Sequence, residues 1–454
     1  MTIQQFYDEK LAHASYIIVS GQEAAVVDPA RDPQPYLEFA QAHNATITTV
    51  LETHPHADFV SCHLELIKEH GATTFVNPKM GVDYPARTLD HNETVQVGEV
   101  TFKALFTPGH SPDHNTYLLI DEKGKEAAAF TGDSLFIGDV GRPDLRESAG
   151  NLTGKRAELA GMMYDTIQNV FKQLPDDVKV YPAHGAGSLC GKNMSDDTES
   201  TIGREKQTNW AFKMETKASF VDALLEGQPF VPKYFPYAVE MNRVGAENYE
   251  PSVEQVTRLD RNGTLATGYA IVDIREAADY QAGHLPGSFN IPNTEGDRFE
   301  TWVGSIINPD EEFYLVSDDE DLLENAIRRL AKIGYEQRIK GAVVYDSDRF
   351  TEKTESFDFD DFKLHMNQYT IVDLRNANEV ADNGLKFDDA MVVSLPELRE
   401  QHDRIPTDKP IVLHCAGGYR SAVGSSILAT LQPDAKVLDM SEHVKTFDED
   451  PVNA

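Results

Sequence analysis

Apolar positions in the first half of the chain fall in short runs broken by Asp, Gly and Pro, the punctuation of strands and tight turns. Such runs predict strands at 15–19, 24–27, 46–51, 100–106, 116–120 and 127–130. Apolar residues at helical spacing predict helices over 35–42, 60–70, 156–173 and 220–225. Strands mixed with helices, without a long helical array, predict an α/β sandwich. The proline-spaced stretch Gly227-Gln228-Pro229-Phe230-Val231-Pro232, continuing to Pro236, places a first domain at 1–237.

Beyond Pro251 the pattern repeats. Ile271-Val272-Asp273-Ile274-Arg275 returns as Ile371-Val372-Asp373-Leu374-Arg375, an offset of 100 residues. Tyr314-Leu315-Val316-Ser317 returns as Val412-Leu413-His414-Cys415, an offset of 98. A repeat of this length indicates two copies of one domain rather than a solenoid. Each copy reads strand, helix, strand, helix, as a small parallel-sheet α/β unit does. The copies are placed at 252–347 and 355–454, joined by the acidic segment 346–361.

With 454 residues, 40% of them apolar and 26% charged, the chain has room for several cores. No apolar run reaches the ~20 residues that span a bilayer, and the N-terminus lacks the basic and apolar blocks of a signal peptide. The three cysteines, Cys62, Cys190 and Cys415, are too few for a disulfide framework and suit a reducing cytoplasm. A formal charge of −34, from 41 basic and 75 acidic residues, argues against nucleic-acid and anionic-membrane partners. An anionic substrate would need a local positive pocket, for which Arg142, Lys155, Arg156 and Lys192 are candidates. A homo-oligomer is expected.

Two constellations carry chemistry. The first is Thr53-His54-Pro55-His56-Ala57-Asp58, then Gly109-His110, Gly132-Asp133 and Ala183-His184, each just after an apolar strand-like run. Loops at strand ends converge on one face of a sheet, so these side chains can meet. The ordered set resembles the metallo-β-lactamase superfamily, in its glyoxalase II and persulfide dioxygenase branch, over about residues 1–235. That resemblance implies an αββα sandwich. Where the superfamily motif reads HxHxDH, the last histidine is here Phe59, which cannot ligate. The departure points to one metal ion per chain, and the resemblance then implies His54, His110 and Asp133 as ligands. Two histidines and a carboxylate leave positions open for O2 chemistry at Fe(II). His56 is either a fourth ligand or an orienting group; Asp58 and His184 would line the site. Arg142, paired with Asp144, is similar to an arginine that supports the site in persulfide dioxygenases.

The second constellation is Cys415-Ala416-Gly417-Gly418-Tyr419-Arg420, between the apolar run Ile411-Val412-Leu413 and a helical stretch. Inward-pointing N–H groups of such a loop, with the helix dipole, favour a thiolate at Cys415. The pattern CxxGxR resembles the active loop of rhodanese sulfurtransferases. It implies a persulfide on Cys415, stabilised by the N–H groups of Ala416, Gly417, Gly418, Tyr419 and Arg420, with the Arg420 guanidinium binding an anion. The earlier copy has Ser317-Asp318-Asp319-Glu320-Asp321 there and is read as catalytically silent, although it keeps the rhodanese-like stretch Gly283-His284-Leu285-Pro286-Gly287-Ser288. Cys190 resembles a possible sulfur relay, and Cys62 reads as a packing residue.

The whole chain thus resembles bacterial fusions of persulfide dioxygenase with rhodanese: a metallo-β-lactamase sandwich followed by two rhodanese-like α/β domains. The resemblance implies Fe(II), O2 as co-substrate, and small thiol persulfides, sulfite and thiosulfate as reactants. Two rival readings are a zinc thioester hydrolase of the glyoxalase II kind with an accessory rhodanese, and a non-oxidative sulfur carrier.

Overall fold

A computed structural model describes residues 1–145 and 156–447, so Lys155 and the last residues of the expected third domain lie outside the described residues. The chain forms two compact units. The first is Met1–Ser252 with Ala331–Gly334; the second is Val253–Leu330 with the described residues from Tyr335 on.

In the first unit two six-stranded sheets face each other. One runs Thr2–Asp8, His13–Ser20, Glu23–Val27, Thr46–Leu51, Thr73–Val76, Arg87–Thr88; the other runs Ser200–Thr201, Lys179–Pro182, Glu126–Gly132, Asn115–Ile120, Val100–Phe106, Thr94–Val97. Alternation explains the layering, because successive side chains of a strand leave by opposite faces. In Val100–Phe106, Val100, Phe102 and Ala104 join Tyr16, Ile18, Leu51 and Phe130 between the sheets, while Leu105 joins the outer core. Outside one sheet, the helices Gln34–Ala42 and His63–His70 add Tyr36, Ala40 and Leu66 to a core with Ile17, Val26 and Val50. Outside the other, Arg156–Asn169 and Lys217–Leu225 add Met163, Ile167, Phe220 and Leu224. The result is the αββα sandwich.

Some elements differ from expectation. The helix expected over 60–70 starts only at His63, with Cys62 at its N-cap. The preceding residues are spent on other bonds: Val60 N–H donates to the Lys332 carbonyl at 2.8 Å, and Ser61 Oγ donates to Glu52 at 2.6 Å. Cys62 is buried in the outer core beside Tyr36 and Leu66. The strands Thr2–Asp8, Thr73–Val76, Arg87–Thr88 and Thr94–Val97 were not foreseen; all but Thr73–Val76 expose much of their length, so hydrophobic runs do not mark them.

The second unit holds two four-stranded parallel sheets of the same order. One runs Phe289–Asn290, Ala270–Asp273, Phe313–Ser317, Ile339–Val344, and the other Met391–Val392, Thr370–Asp373, Ile411–His414, Val437–Asp439. Even the register is repeated, with Ala270 opposite Phe313 and Thr370 opposite Ile411. So is a buried ion pair. Arg275 grips Asp273 and the Gly283 carbonyl, and Arg375 grips Asp373 and the Gly384 carbonyl, each arginine donating at 2.6 Å to its carboxylate and 2.8 Å to its carbonyl. Among the described residues no helix is long and apolar enough to cross a membrane.

Asp439, at the end of the last strand, gives a pH test of this packing. Burial pushes its carboxyl up to about 6, against hydrogen bonds from Ser421 and the Ser441 N–H. A carboxyl raised on folding binds its proton more tightly in the native state, so stability falls as pH rises from about 4 to 6. Asp439→Asn should therefore raise unfolding free energy at pH 7 by about 2–3 kcal/mol. Urea melts should show the gain vanishing below pH 4.

Candidate functional site

The metal-ligating candidates all follow strand ends of the sandwich and are buried: His54, His56, Asp58, His110, Asp133 and His184. Asp28, which closes the strand Glu23–Val27 at φ +48, anchors the first loop. Its carboxylate accepts the Thr53 N–H at 2.8 Å and the Thr53 hydroxyl at 2.9 Å. With its proton so committed, the hydroxyl accepts from His54 Nδ1–H at 3.0 Å, which leaves the Nε2 lone pair of His54 facing inward. The same logic fixes two more rings. His110 Nδ1–H donates to the Arg142 carbonyl at 2.8 Å, and His184 Nδ1–H donates to the Ala12 carbonyl at 3.2 Å. Three imidazoles are thus held in the tautomer that presents Nε2 to a cation.

Asp133 is the meeting point. Neither of its oxygens has a hydrogen-bond partner, although the residue is fully buried. Its oxygens lie 3.5 Å from His110 Nε2 and 3.4 Å from His184 Nε2. Spacings near 3 Å are what ligands have around a common ion with bonds of ~2.0–2.2 Å. One ligand atom each from His54, His110 and Asp133 falls within 4.8 Å of the others. A buried carboxylate without donors costs several kcal/mol unless a cation meets it, so these residues fit a metal ion.

His56 joins a different grouping, its ligand atom within 4.8 Å of those of Asp133 and His184. Its Nε2 is 3.3 Å from Asp28 and its Nδ1 4.0 Å from Asp133. Burial works against its charge, but Asp28, with Asp133 and Asp58 beside it, outweighs burial and raises the imidazolium pKa to about 9. Phe59 is buried, stacked on His13 at 3.7 Å between ring centres and 4.5 Å from the His56 ring. Beyond Asp133 lies a second grouping, in which ligand atoms of Asp58, His184 and Cys190 fall within 4.8 Å of one another. Burial, then Asp58 and Asp133, pushes the Cys190 thiol up, so without a cation it keeps its proton.

Arg142 is buried and makes a bidentate pair with Asp144, two bonds of 2.7 Å. It also ties in the Cys190 segment, donating to the Leu189 carbonyl at 3.2 Å, while its N–H donates to the Cys190 carbonyl at 2.9 Å. It is therefore no part of an exposed positive pocket. Lys192 is likewise turned inward, its ammonium donating to the carbonyls of Ala223 and Glu226 at a helix C-terminus.

In the second unit, the strand Ile411–His414 delivers Cys415 to a tight loop that opens the helix Tyr419–Leu431. Cys415 is buried and its Sγ accepts the Gly418 N–H at 3.2 Å. Gly418 adopts φ +112, and a Cβ there would sit 3.2 Å from the Glu442 nitrogen, which favours glycine. Arg420 reaches Cys415 but is itself held by Glu379, at 2.5 and 2.8 Å. Tyr419 is half-buried, its ring near Trp302. His414 lies 3.8 Å from Asp373; burial lowers its pKa to about 4 and keeps it neutral.

These two sites can be set beside known proteins. Residues 9–184 match the family model of the metallo-beta-lactamase superfamily, and residues 252–352 match that of the rhodanese-like domain. A solved metallo-beta-lactamase from Staphylococcus aureus subsp. aureus COL is 35% identical with a TM-score of 0.68, covering 76% of this chain and 99% of that one. The chain belongs to the metallo-beta-lactamase superfamily. Among curated relatives, a hydroxyacylglutathione hydrolase of Synechococcus sp. is 33% identical over 171 residues, 37% of this chain and 61% of the relative. Another, from Francisella tularensis subsp. novicida, is 27% identical over 182 residues, 39% and 65%. The chain thus spans less than two thirds of the length of either hydrolase.

The rhodanese-like match ends before Cys415. What ties Cys415 to that fold is the repeat itself, with the same sheet order, register and Asp–Arg pair in both copies.

For this metallo-beta-lactamase superfamily member, three site residues escaped the sequence reading. His114 Nε2 accepts the Asp133 N–H at 3.1 Å and fixes the backbone of the central carboxylate. Asp28 orients His54 through Thr53 and pairs with His56, and His13 backs Phe59. The His114 side chain is also why residue 132 is glycine. At φ +51, a Cβ on Gly132 would meet His114 Nε2 and Thr53 Oγ1 at 2.5 Å each.

Phe59→His should raise bound metal from about one ion per chain toward two, read by elemental analysis of the purified protein. An unchanged count would show that something other than the missing imidazole limits the site.

Proposed function

We propose that the first unit oxidises low-molecular-weight thiol persulfides with O2, at Fe(II) held by His54, His110 and Asp133. One persulfide, one O2 and one water give one thiol, one sulfite and two protons. In the same reading, Cys415 exchanges sulfane sulfur between persulfide, sulfite and thiosulfate.

The observation that carries the reading is the pairing, in one chain, of a buried two-histidine, one-carboxylate cluster with a cysteine in a loop that donates N–H to its sulfur. The ion would bring sulfane sulfur and O2 together and supply the redox chemistry that no side chain has. The protein supplies orientation and exclusion. The Arg142 carbonyl and Thr53 hydroxyl hold the His110 and His54 rings so that each offers Nε2. Phe59 fills the place of a ligand, which weighs against a binuclear hydrolase, and Asp28 lies 3.3 Å from His56 Nε2. Asp58, His184 and Cys190 group beside the trio, and in this reading Cys190 would carry sulfur to or from the site.

At Cys415 the thiolate attacks the outer sulfur of RSSH. The S–S bond breaks, RS⁻ leaves and takes the proton, and a Cys415 persulfide remains. Sulfite then takes the outer sulfur, giving thiosulfate and regenerating the thiolate. No electrons enter or leave.

Likeness to two hydroxyacylglutathione hydrolases favours a second reading, thioester hydrolysis at zinc with an accessory rhodanese-like region. An oxygen electrode with metal analysis of the same sample decides between them. The first reading expects O2 uptake on adding a small thiol persulfide, with about one iron per chain. Zinc with hydrolysis of S-lactoylglutathione, and no O2 uptake, would replace it.

Two variants extend the test. His110→Ala should lower O2 uptake at least 100-fold and leave thiosulfate sulfurtransfer intact. Cys415→Ser should shift the product from thiosulfate to sulfite; unchanged thiosulfate output would contradict its role.

A further inference from the structure

Cys415 stands among cations that are already neutralised. Arg420 holds Glu379 with both terminal nitrogens, a fork-to-fork pair at 2.5 and 2.8 Å. Glu379 is not a chance surface partner. It occupies the third position of the helix Ala377–Asn383, and its carboxylate also accepts the Asn376 N–H at 3.1 Å, completing a capping box. Burial raises its carboxyl, but the Arg420 hydrogen bond and charge outweigh that and hold it below the usual range, so it is ionised at neutral pH. The other cation beside the loop is Lys445, whose nearest atom would lie 4.0 Å from a Cβ on Gly417. It is paired with Glu442 at 3.0 Å. Arg375, one strand away, is committed to Asp373.

The consequence concerns the sulfur donor. An arginine in a thiol loop favours thiosulfate and sulfite, both dianions, when its fork is free. Here the fork is filled by a carboxylate preset by a helix cap, and a dianion has to displace or approach that carboxylate. The Glu379 carboxylate offsets the Arg420 charge, so the fork offers an incoming dianion no free cation. An alkyl persulfide, which presents a neutral or singly charged sulfur end, meets no such penalty.

We propose that Glu379 is a specificity-determining residue that occupies Arg420 and biases Cys415 toward organic persulfides over the thiosulfate dianion as sulfur donor. The inference rests on sulfur transfer at Cys415 and adds the residue that sets its preference between donors. It also gives thiosulfate a weak hold once formed, so that it leaves as product.

Glu379→Gln keeps the shape and, through its one amide oxygen, an acceptor for the Asn376 N–H, while it removes the charge and puts an N–H donor where a second oxygen faced Arg420. Glu379→Ser is the second variant, should the first not fold. In full-length protein, thiosulfate with cyanide as acceptor should show KM about tenfold lower in either folded variant. KM for a small alkyl persulfide donor should stay within about twofold. An unchanged thiosulfate KM, or equal loss with both donors, would overturn the proposal and leave Glu379 a helix-capping residue. Intact-mass measurement of wild-type Cys415 after each donor separates the two claims. If the wild-type residue gains sulfur from neither donor, sulfur transfer itself is wrong and the inference falls with it. If it gains sulfur but KM does not move, only the inference fails.

Discussion

Among the described residues, the carboxylate of Asp133 is buried without a hydrogen-bond partner on either oxygen and is ringed by imidazole nitrogens. A charge in that position is tolerable only beside a cation. Much of the first unit can be read as support for it. The Gly132 backbone, in a left-handed conformation, turns the chain out of its strand, and His114 holds the Asp133 N–H. The Arg142 carbonyl, Ala12 carbonyl and Thr53 hydroxyl each fix one surrounding imidazole. Parts of four loops, separated by more than a hundred residues, are tuned to one point.

Against this background Phe59 and His56 acquire meaning together. An aromatic ring takes the place of a ligand and stacks on His13, and the neighbouring histidine turns to Asp28. The phenyl ring removes a nitrogen donor from a cluster that still has carboxylates to spare, while His56 stays within ligand reach of Asp133 and His184. The cluster is thus lopsided: one trio well furnished, and a second grouping of Asp58, His184 and Cys190.

What could be read from the chain follows a physical line. Residues that act through their own chemistry at strand ends, such as His54, His110, Asp133 and Cys415, stand out because loops after strands rarely need them for packing. The αββα layering was legible because buried strands carry dense apolar runs. Residues that act through another residue were not legible. His114 and Asp28 look like ordinary loop residues until the fold sets them against Asp133 and Thr53. Arg142 and Lys192 read as exposed cations, yet both face inward, because sequence does not report which way a long side chain turns. The pairing of Arg420 with Glu379 spans 41 positions and depends on two helices meeting over a shared sheet. Polar edge strands such as Arg87–Thr88 escape for the opposite reason, having no apolar run to mark them.

Both copies in the second unit keep the sheet order and the buried Asp–Arg pair. They differ after the third strand of the sheet order, where Ile411–His414 is followed by a cysteine and two glycines and Phe313–Ser317 by acidic residues. Anomalous diffraction from crystals of the purified protein, collected across the iron and zinc edges, tests the central claim most directly. The account predicts one iron peak per chain, within bonding distance of His54 Nε2, His110 Nε2 and Asp133. Two peaks bridged by Asp133, or a zinc edge in place of iron, would contradict it.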